Sequence, residues 1–371
     1  MKKNSICTQS PKRRVRKQPK KMIIGMDLGD KSSRFAAMNE AGEMCAEGSV
    51  TTSRKGLLAK FGGLPPCRMA IEVGTHSPWV SRLLESLGHE VIVANARQVR
   101  LISESSRKDD GMDARMLARL ARVDPQLLRP VRHRSEQAQG HLLLIRARAA
   151  MVDARTSLIN AARGLAKPMG ERLPACDADH VGAELAVGMP TAVRQALTPL
   201  LEQVASLTEK IREAEAQIEQ IARTEYPETE LLRQISGVGP LIALTFVLTV
   251  EMPERFQKSR DVGCYVGLRP KRRESGQRQP ELRITKEGDV YLRRLLVQGA
   301  HCILSKRAPD TDLKRWGLKL AGRGGKNAKK RAVVAVARKL AVLLHRLWVT
   351  GEVYEPLRNS RKAAPREAAA A

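Results

Sequence analysis

Four carboxylates stand where strands are predicted to end or helices to begin. Asp27 closes the first long apolar run and Glu72 closes another, whereas Asp110 and Asp113 stand three residues apart in a predicted helix and share a face. Acids gathered in this way repel one another, and a pair of Mg²⁺ ions is their simplest neutraliser. Two such ions activate a nucleophile and stabilise the leaving oxygen in phosphodiester chemistry.

Each acid also has an ordinary interpretation. A lone Asp after a strand is usually a cap, and a lone Glu is usually solvated. Asp109 shares a face with Asp113 as well, so the choice between Asp109 and Asp110 stays open. The order of strand with Asp, strand with Glu and helix with DxxD within one hundred residues favours a metal site over four unrelated acids.

The elements that would position these acids lie within residues 22–125, where sequence patterns typical of strands alternate with patterns typical of helices. This alternation after three early strands predicts a mixed α/β sheet. The strands are predicted at Met22–Asp27, Arg34–Asn39, Met44–Val50, Arg68–Val73 and Glu90–Ala94. The helices are predicted at Ser53–Phe61 with Ser53 as cap, Pro78–Leu87, and Arg107–Arg122 with Met112, Met116, Leu117 and Leu120 on its apolar side.

A long helical region follows from about Ser135 to Ala222. Apolar residues recur there at 3-4 spacing for about four heptads, which predicts a coiled-coil seam. Its members are Leu197, Leu200, Val204, Leu207, Ile211, Ala214, Ile218 and Ile221, with a compatible earlier run at Leu142, Ile145, Ala149, Val152 and Ile159. We interpret the region as a helical hairpin turning within 168–190, paired within or between protomers; a plain bundle core is the alternative.

Residues 226–356 predict a third, basic unit. Its GVG turn, with Gly237 and Gly239, fits a helix-hairpin-helix that offers backbone N–H groups to a phosphate, although an ordinary helix turn fits too. An arginine-rich loop and two helices, near Val290–Lys306 and Lys326–Trp348, come next. Eight Lys or Arg and no acid lie between 323 and 346, among them Lys329, Lys330 and Arg331, as on a helix face that contacts phosphates.

Composition narrows the class of partner. Lys and Arg outnumber Asp and Glu by 66 to 39, a formal net charge of +27, which indicates a polyanion such as DNA or RNA. A merely basic protein from a GC-rich genome is the alternative. Aromatic residues make up only 3%, so base stacking is a poor candidate for the main contact.

Location is also indicated by composition. The six cysteines show no CxxC pair, which disfavours a zinc site or disulfide scaffold and fits a reducing cytosol. No apolar run has transmembrane length, so we expect a soluble protein of the bacterial cytoplasm, with no membrane partner. The predicted domains are a disordered basic arm (1–21), the acid-bearing domain (22–130), the helical region (131–225), the basic C-terminal domain (226–356) and a disordered tail (357–371).

Several blocks resemble a known family. MDLG with Asp27, IEVGTHS with Glu72 and KDDGMDA with Asp110 and Asp113 resemble the RNase H/RuvC-like domain of the DEDD-type insertion-sequence transposases. The similarity continues in order through the C-terminal blocks ISGVGP, YVGLRP, ESG and ITKEGDVYLRRL. It covers nearly everything except the two tails.

The resemblance implies a function. Recent family members are described as bridge-RNA-guided serine recombinases, which implies DNA (element ends and target), a guide RNA and Mg²⁺ as partners. It implies a serine nucleophile at Ser275, where Arg272, Arg273 or Arg278 could receive a phosphoryl oxygen. We also expect a homo-oligomer joined by the coiled coil, with acids of one chain completing a site with Ser275 of another.

Two positions depart from the family pattern, and three other interpretations compete with it. Asp109 replaces a small polar residue, and Gln277 replaces a second glycine after Ser275. The rivals are a junction-resolving endonuclease using the acids alone, an actin-like or sugar-kinase-like ATPase, and a silent nucleic-acid-binding scaffold. The charge of +27 and the lack of a second glycine-rich phosphate loop disfavour the ATPase.

Overall fold

The chain folds as two compact units. The computed structural model describes residues 22–95, 110–273 and 282–359. One unit ends at His133 and the other begins at Arg134. The predicted basic arm, the chain from 360 onward, and the residues Asp109, Ser275 and Arg278 lie outside the described residues.

The first unit consists of a five-stranded sheet and helices on both of its faces. The strands are β1 (Ile23–Asp27), β2 (Ser32–Met38), β3 (Met44–Thr51), β4 (Arg68–Glu72) and β5 (Glu90–Ala94). The helices are α1 (Arg54–Phe61), α2 (Ser77–Ser86) and α3 (Asp110–Val123), and a short 3₁₀ turn follows at Pro125–Leu128. The Ser53 side chain accepts a hydrogen bond from the Gly56 amide and caps α1, as predicted.

The sheet has the order β3-β2-β1-β4-β5. The first three strands form an antiparallel meander, whereas β1, β4 and β5 run parallel. This confirms the predicted mixed α/β sheet and is consistent with an RNase H/RuvC-like fold. Since β1 and β4 are parallel neighbours at the centre, their carboxyl ends meet at one edge of the sheet.

Alternate residues of the central strands feed two separate cores. Ile24, Met26 and Ile71 pack on one face with buried side chains of α1 and α2. Ile23 and Ala70 pack on the other face with buried side chains of α3. The strands are apolar on both faces because helices cover both, which explains their continuous apolar runs.

The apolar side predicted for α3 was partly wrong. Leu117 and Leu120 are buried as expected, but Met112 is 42% exposed. The buried stripe consists instead of Ala114, Leu117, Ala118 and Ala121, which recur at i, i+3, i+4 and i+7. Small residues dominate this stripe because the helix lies very close to β1.

The second unit is helical. Its longest helices are α4 (Glu136–Ala166) and α5 (Thr191–Glu225), joined by a connection with 3₁₀ turns at Lys167–Met169, Ala178–His180 and Ala183–Ala186. The remaining helices are α6 (Glu228–Arg233), α7 (Pro240–Val250), α8 (Arg260–Tyr265), α9 (Val290–Ile303), α10 (Asp312–Ala321) and α11 (Ala328–Thr350), with a 3₁₀ turn at Pro253–Arg255.

Helices α4 and α5 form an antiparallel hairpin within one chain. Gln137 bonds to Glu225 at one end, and Arg148 pairs with Glu215 further along. Near the turn, Ile159 and Leu197 share a small core. The predicted helical hairpin is therefore present, and its pairing partner in this structure is the other helix of the same chain.

The seam of α5 differs from the prediction at three positions. Leu201, Thr208 and Ala222 are buried, whereas the predicted Leu200, Leu207 and Ile221 are partly exposed. Thr208 is buried because its hydroxyl accepts a hydrogen bond from the buried Arg155 guanidinium at 3.2 Å. A polar residue therefore occupies this seam position because it bonds to a polar partner on α4. A search for apolar residues at regular spacing cannot find such a position.

The base of the hairpin belongs to the same core as the C-terminal helices. Leu142 and Ile145 of α4 join Ile218 of α5 in a cluster with α7, α9 and α11. Helix α9 ends at Ile303, three residues before its predicted end, and α11 extends to Thr350. Helix α10 was not predicted. No helix in the described part of the chain is long and apolar enough to cross a membrane.

Candidate active site

Asp27 and Glu72 end two adjacent parallel strands. The register pairs Met26 of β1 with Ile71 of β4, so the next residue of each strand is an acid beside the other acid. Both carboxylates belong to half-buried residues at this edge. We call this end of the sheet the acid edge, and here the structure brings two sequence-predicted residues together.

Helix α3 covers the face of the sheet on which both acids lie. Gly25 is two residues before Asp27 and therefore faces the same side. A Cβ at Gly25 would overlap the Ala114 carbonyl oxygen and the Ala118 amide nitrogen, and would lie 3.0 Å from the Leu117 Cβ. Only glycine allows the helix backbone to rest directly on β1.

The direction of α3 carries its first turn toward the acid edge. Arg68, at the start of β4, donates a hydrogen bond of 3.1 Å to the carbonyl of Ala121, late in the helix. Ala114, early in the helix, lies over Gly25, close to the end of β1. The helix is thus antiparallel to the strands, and Asp113 is on the turn nearest Asp27.

Asp110 is the first residue of α3, and its side chain lies outside the described residues. Asp110 and Asp113 precede Ala114 and Leu117 by four residues each, so both positions continue the stripe that faces the sheet. The fourth predicted acid is therefore placed only by its backbone. Asp27, Glu72 and Asp113 each have an interaction with another group.

A salt bridge fixes the same turn of α3 from the side. Arg115 donates from Nε and Nη2 to the two carboxylate oxygens of Glu47 on β3, each at 2.5 Å. The hydrogen bonds from Arg115 hold the pKa of Glu47 below its usual value. A bidentate pair restricts both distance and angle, so it limits rotation of the helix over the sheet.

The described acids suit a hard divalent cation in their chemistry. Carboxylate oxygens are the ligands that Mg²⁺ prefers. Among the described side chains, no three His, Cys, Asp or Glu residues are grouped closely enough to hold a metal ion. The carboxylate donors thus fit Mg²⁺ by type, and the Asp110 side chain lies outside the described part of the chain.

A hydrogen-bonded chain at the acid edge was missed by the sequence analysis. The Trp79 indole N–H donates to His76 Nδ1 at 3.1 Å, so the imidazole carries its proton on Nε2. That nitrogen lies 3.1 Å from the Asp30 carboxylate. The loops after β1 and β4 are therefore tied together just beyond Asp27 and Glu72. A His three residues before a Trp at a helix start was the available signal.

In the second unit, the GVG turn lies where α7 begins. Gly237 has φ +90°, and a Cβ there would be 3.0 Å from the carbonyl oxygen of Gly299 on α9. Gly239 is the N-cap of α7, and a Cβ there would meet open space. The first glycine is required by packing, while the second leaves the helix start accessible to a phosphate.

The two described ends of the arginine-rich loop pair as a short antiparallel ribbon, which we call the Arg-rich hairpin (267–273 and 282–288). The Lys271 amide donates to the Arg283 carbonyl at 2.9 Å, and the Thr285 amide donates to the Arg269 carbonyl at 2.8 Å. Arg272 and Arg273 are exposed. Ser275 and Arg278 belong to the connecting residues 274–281, outside the described part of the chain.

The predicted basic face of α11 begins with three exposed cations. Lys329, Lys330 and Arg331 are exposed, while Ala332, Val336 and Leu340 are buried in the core. Further along, Lys339 lies over the Trp316 ring at 4.0 Å, and Arg346 pairs with Glu352. The first turn of α11 is therefore the part of this helix that presents clustered positive charge.

Two family models match the chain. A DEDD transposase model of the IS110 type matches residues 24–168, and a model described as Transposase IS116/IS110/IS902 family matches residues 229–314. The first match includes Asp27, Glu72 and α3. The second includes the GVG turn and the Arg-rich hairpin.

Curated relatives match over most of their length. The transposase for insertion sequence element IS1111A of Coxiella burnetii is 28% identical over 367 residues, covering 95% of this chain and 96% of the relative. The transposase for insertion sequence element IS1328 of Yersinia enterocolitica is 26% identical, covering 91% and 99%. A probable family 20 transposase of Pseudomonas aeruginosa is 29% identical, covering 80% and 88%. Both family models and these relatives agree, so the chain is similar along most of its length to transposases of the IS116/IS110/IS902 family.

Proposed function

We propose that the protein cuts and rejoins DNA to move an insertion sequence. The family models and the similarity to transposases for insertion sequence elements support DNA as substrate and transposition as process. The observation that carries the proposal is the acid edge, where Asp27 and Glu72 end neighbouring strands under the first turns of α3. Acids gathered at a sheet edge suit metal-assisted chemistry on a phosphodiester.

In this proposal Asp27, Glu72, Asp110 and Asp113 hold two Mg²⁺ ions. The ions would supply charge stabilisation at a DNA phosphate and at its leaving oxygen. Gly25 and the Arg115–Glu47 bridge hold α3 at its distance and angle, so that Asp113 stays near the strand ends. The Asp30–His76–Trp79 chain orders the two loops that border the site.

We further propose that Ser275 is the nucleophile, as the family resemblance implies. Its Oγ would attack the phosphorus, a P–Oγ bond would form, and the bond from phosphorus to a deoxyribose oxygen would break. The serine proton would pass to a base, and the leaving oxygen would take up a proton. Rejoining reverses these steps with a new deoxyribose hydroxyl, so no external energy source is needed.

Positive groups of the second unit would hold the nucleic acids. Arg272, Arg273 and Arg278 would receive phosphoryl oxygens near Ser275, where guanidinium groups can bind an oxyanion bidentately. The GVG turn with Gly237 and Gly239, and Lys329, Lys330 and Arg331 on α11, would contact DNA or a structured guide RNA encoded beside the gene. The exposure of Gly239, Lys329, Lys330 and Arg331 in this structure supports such contacts.

A homo-oligomer is part of the same proposal. Helices α4 and α5 already pair within the chain, so association would use the outer faces of this hairpin. Acids of one protomer would then complete a site with Ser275 of another, in the bacterial cytoplasm where the element resides. Mixed oligomers of Asp27→Asn and Ser275→Ala protomers should regain activity that each variant lacks alone; absence of any gain would refute the shared site.

A covalent-capture experiment tests the reaction. Protein, RNA from its own element, Mg²⁺ and labelled DNA spanning the element ends are incubated and separated under denaturing conditions. We expect a protein–DNA adduct that is absent in Ser275→Ala and in Asp27→Asn, and present in the control Ser305→Ala, which alters a serine of the same unit outside the Arg-rich hairpin.

The alternative outcome is equally informative. DNA cleaved without an adduct, yet dependent on Asp27 and Glu72, would contradict serine chemistry and identify a metal endonuclease of the junction-resolving kind. Turnover of ATP without DNA cleavage would contradict both and support the ATPase interpretation.

A further inference from the structure

Arg293 is a buried cation that has no acidic partner among the described residues. It lies in the first turn of α9 and is only 9% exposed. Within the described residues its hydrogen bonds go to backbone carbonyl oxygens and to no carboxylate. A buried guanidinium is costly unless its donors are used. Its next neighbour, Arg294, is exposed and pairs with Asp153 at 2.8 Å, as a surface arginine ordinarily does.

The two carbonyls that Arg293 contacts lie at opposite ends of the Arg-rich hairpin. Its Nη1 donates to the Val266 carbonyl at 3.1 Å and to the Glu287 carbonyl at 2.8 Å. Val266 comes directly before the first arm, and Glu287 lies near the end of the second. A single nitrogen therefore joins the point where the chain leaves α8 to the point where it enters α9.

The backbone at this base is closed tightly around the guanidinium. Gly267 and Gly288 have φ values of +70° and +75°. A Cβ at Gly267 would overlap the Glu287 backbone and lie 2.9 Å from Arg293 Nη1, and one at Gly288 would overlap the Tyr265 carbonyl. Both arms thus start from backbone contacts that only glycine permits.

The end of the hairpin is anchored on the long helices as well. Asp289 caps α9 by accepting from the Leu292 amide at 2.8 Å, and it also accepts from Arg146 Nη2 of α4 at 2.5 Å. The second arm therefore ends at a residue held by α4 and α9 together. Arg293, one turn further along α9, then fixes the first arm to this anchored point.

We infer that Arg293 is a positioning residue, which holds the two arms of the Arg-rich hairpin together at their base. The inference deepens the proposed function, because Ser275 lies between these two arms in the sequence. An apolar side chain would satisfy the packing of α9 but would leave the Val266 and Glu287 carbonyls without a donor. The arginine is thus needed for the hairpin and not for the helix.

Amide hydrogen exchange on the full chain tests the inference directly. The variants are Arg293→Met, which keeps side-chain length without donors, Arg293→Lys, which keeps a charged donor, and the adjacent control Arg294→Met. In Arg293→Met we expect the Lys271 and Thr285 amides to exchange at least about tenfold faster, the effect of one lost charge-assisted hydrogen bond.

Amides in the middle of α9, such as that of Leu296, should keep their protection in every variant. The protein–DNA adduct should form at least about tenfold more slowly in Arg293→Met, with partial recovery in Arg293→Lys. Arg294→Met should match the wild type in both measurements. Recovery by lysine is expected because a positioning role needs a donor at this point, whereas filling of space does not.

Two results would overturn the inference. Unchanged exchange at Lys271 and Thr285 in Arg293→Met would mean that the hairpin base holds without the guanidinium. Equal loss of protection at Leu296 would mean that Arg293 supports the helical core as a whole. If wild-type protein forms no adduct, the proposed function fails, while the exchange data still decide whether Arg293 holds the hairpin.

Discussion

Replacing Gly25 by alanine should separate α3 from the acid edge. The added Cβ would overlap two backbone atoms of the helix, the Ala114 carbonyl oxygen and the Ala118 amide nitrogen, well inside the 3.0 Å that real Cβ atoms respect. Backbone atoms in the middle of a helix cannot rotate away as a side chain can. The helix as a whole must therefore retreat from β1.

The size of the effect follows from that overlap. Restoring an ordinary contact distance requires a retreat of about 1 Å. Overpacking of this kind costs about 1–3 kcal/mol of stability. A displacement of about 1 Å between catalytic groups lowers a rate by roughly one hundredfold. Since Asp113 lies on α3 while Asp27 and Glu72 lie on the sheet, the loss of cleavage should exceed what the loss of stability alone explains.

Thermal unfolding and Mg²⁺-dependent DNA cleavage measure the two effects separately. The matched control is Gly140→Ala in α4, where an added Cβ meets no atom within 4 Å. That change should be neutral or stabilise by about 0.5–1 kcal/mol through helix propensity. Cleavage at the wild-type rate by a Gly25→Ala protein with an unchanged melting temperature would refute the close approach of α3 to β1.

Three further results are expected. Leu201→Ala should destabilise the second unit by about 2–5 kcal/mol, because it opens a cavity in the core between α4 and α5. Leu200→Ala should lower the free energy of unfolding clearly less, because Leu200 is only partly buried. Equal decreases for the two variants in denaturant unfolding would contradict the observed seam. Burial raises the pKa of the Cys67 thiol to about 11, so a thiol reagent at pH 8 should label the exposed Cys45 first. Above pH 9 the unfolded chain loses the Cys67 proton before the folded chain does, so this thiol makes stability fall as pH rises, and the fall should be less steep in Cys67→Ala. Glu47→Gln should loosen the contact between α3 and β3 and thereby reduce DNA cleavage. The melting temperature should change little, because exposed ion pairs contribute little to stability. A large fall in melting temperature that accounts for the whole loss of cleavage would argue that the salt bridge is purely structural.

The strands and their acids could be predicted because local signals agree with the global fold. β5 has the predicted bounds, and Ser53 caps α1 as its sequence indicates. Asp27 and Glu72 lie side by side because each ends an apolar run, and parallel neighbours end together. These features depend only on short stretches of chain and on one rule of sheet geometry.

Other features depend on partners that are distant in sequence. The residues of α3 that contact β1 are alanines, such as Ala118, and alanine is only a weak signal of a buried position. The larger Met112 was therefore predicted, wrongly, to lie on the buried side of the helix. Thr208 belongs to the seam only because Arg155 lies opposite. The order of Trp79, His76 and Asp30 becomes visible only when the loops after β1 and β4 are brought together. Each miss reflects a contact that no local pattern encodes.

The helical hairpin has a mechanical consequence. At 1.5 Å per residue, α4 and α5 extend for roughly 46 and 52 Å from a base that is embedded in the core of α7, α9 and α11. A tilt of only about 5° at that base would move the far turn by roughly 4 Å. The same core carries Arg293 and the base of the Arg-rich hairpin. The α4–α5 hairpin is therefore a lever whose fulcrum lies in the core that also holds the base of the Arg-rich hairpin. A force applied at the far turn of α4 and α5 would act on that core with a mechanical advantage.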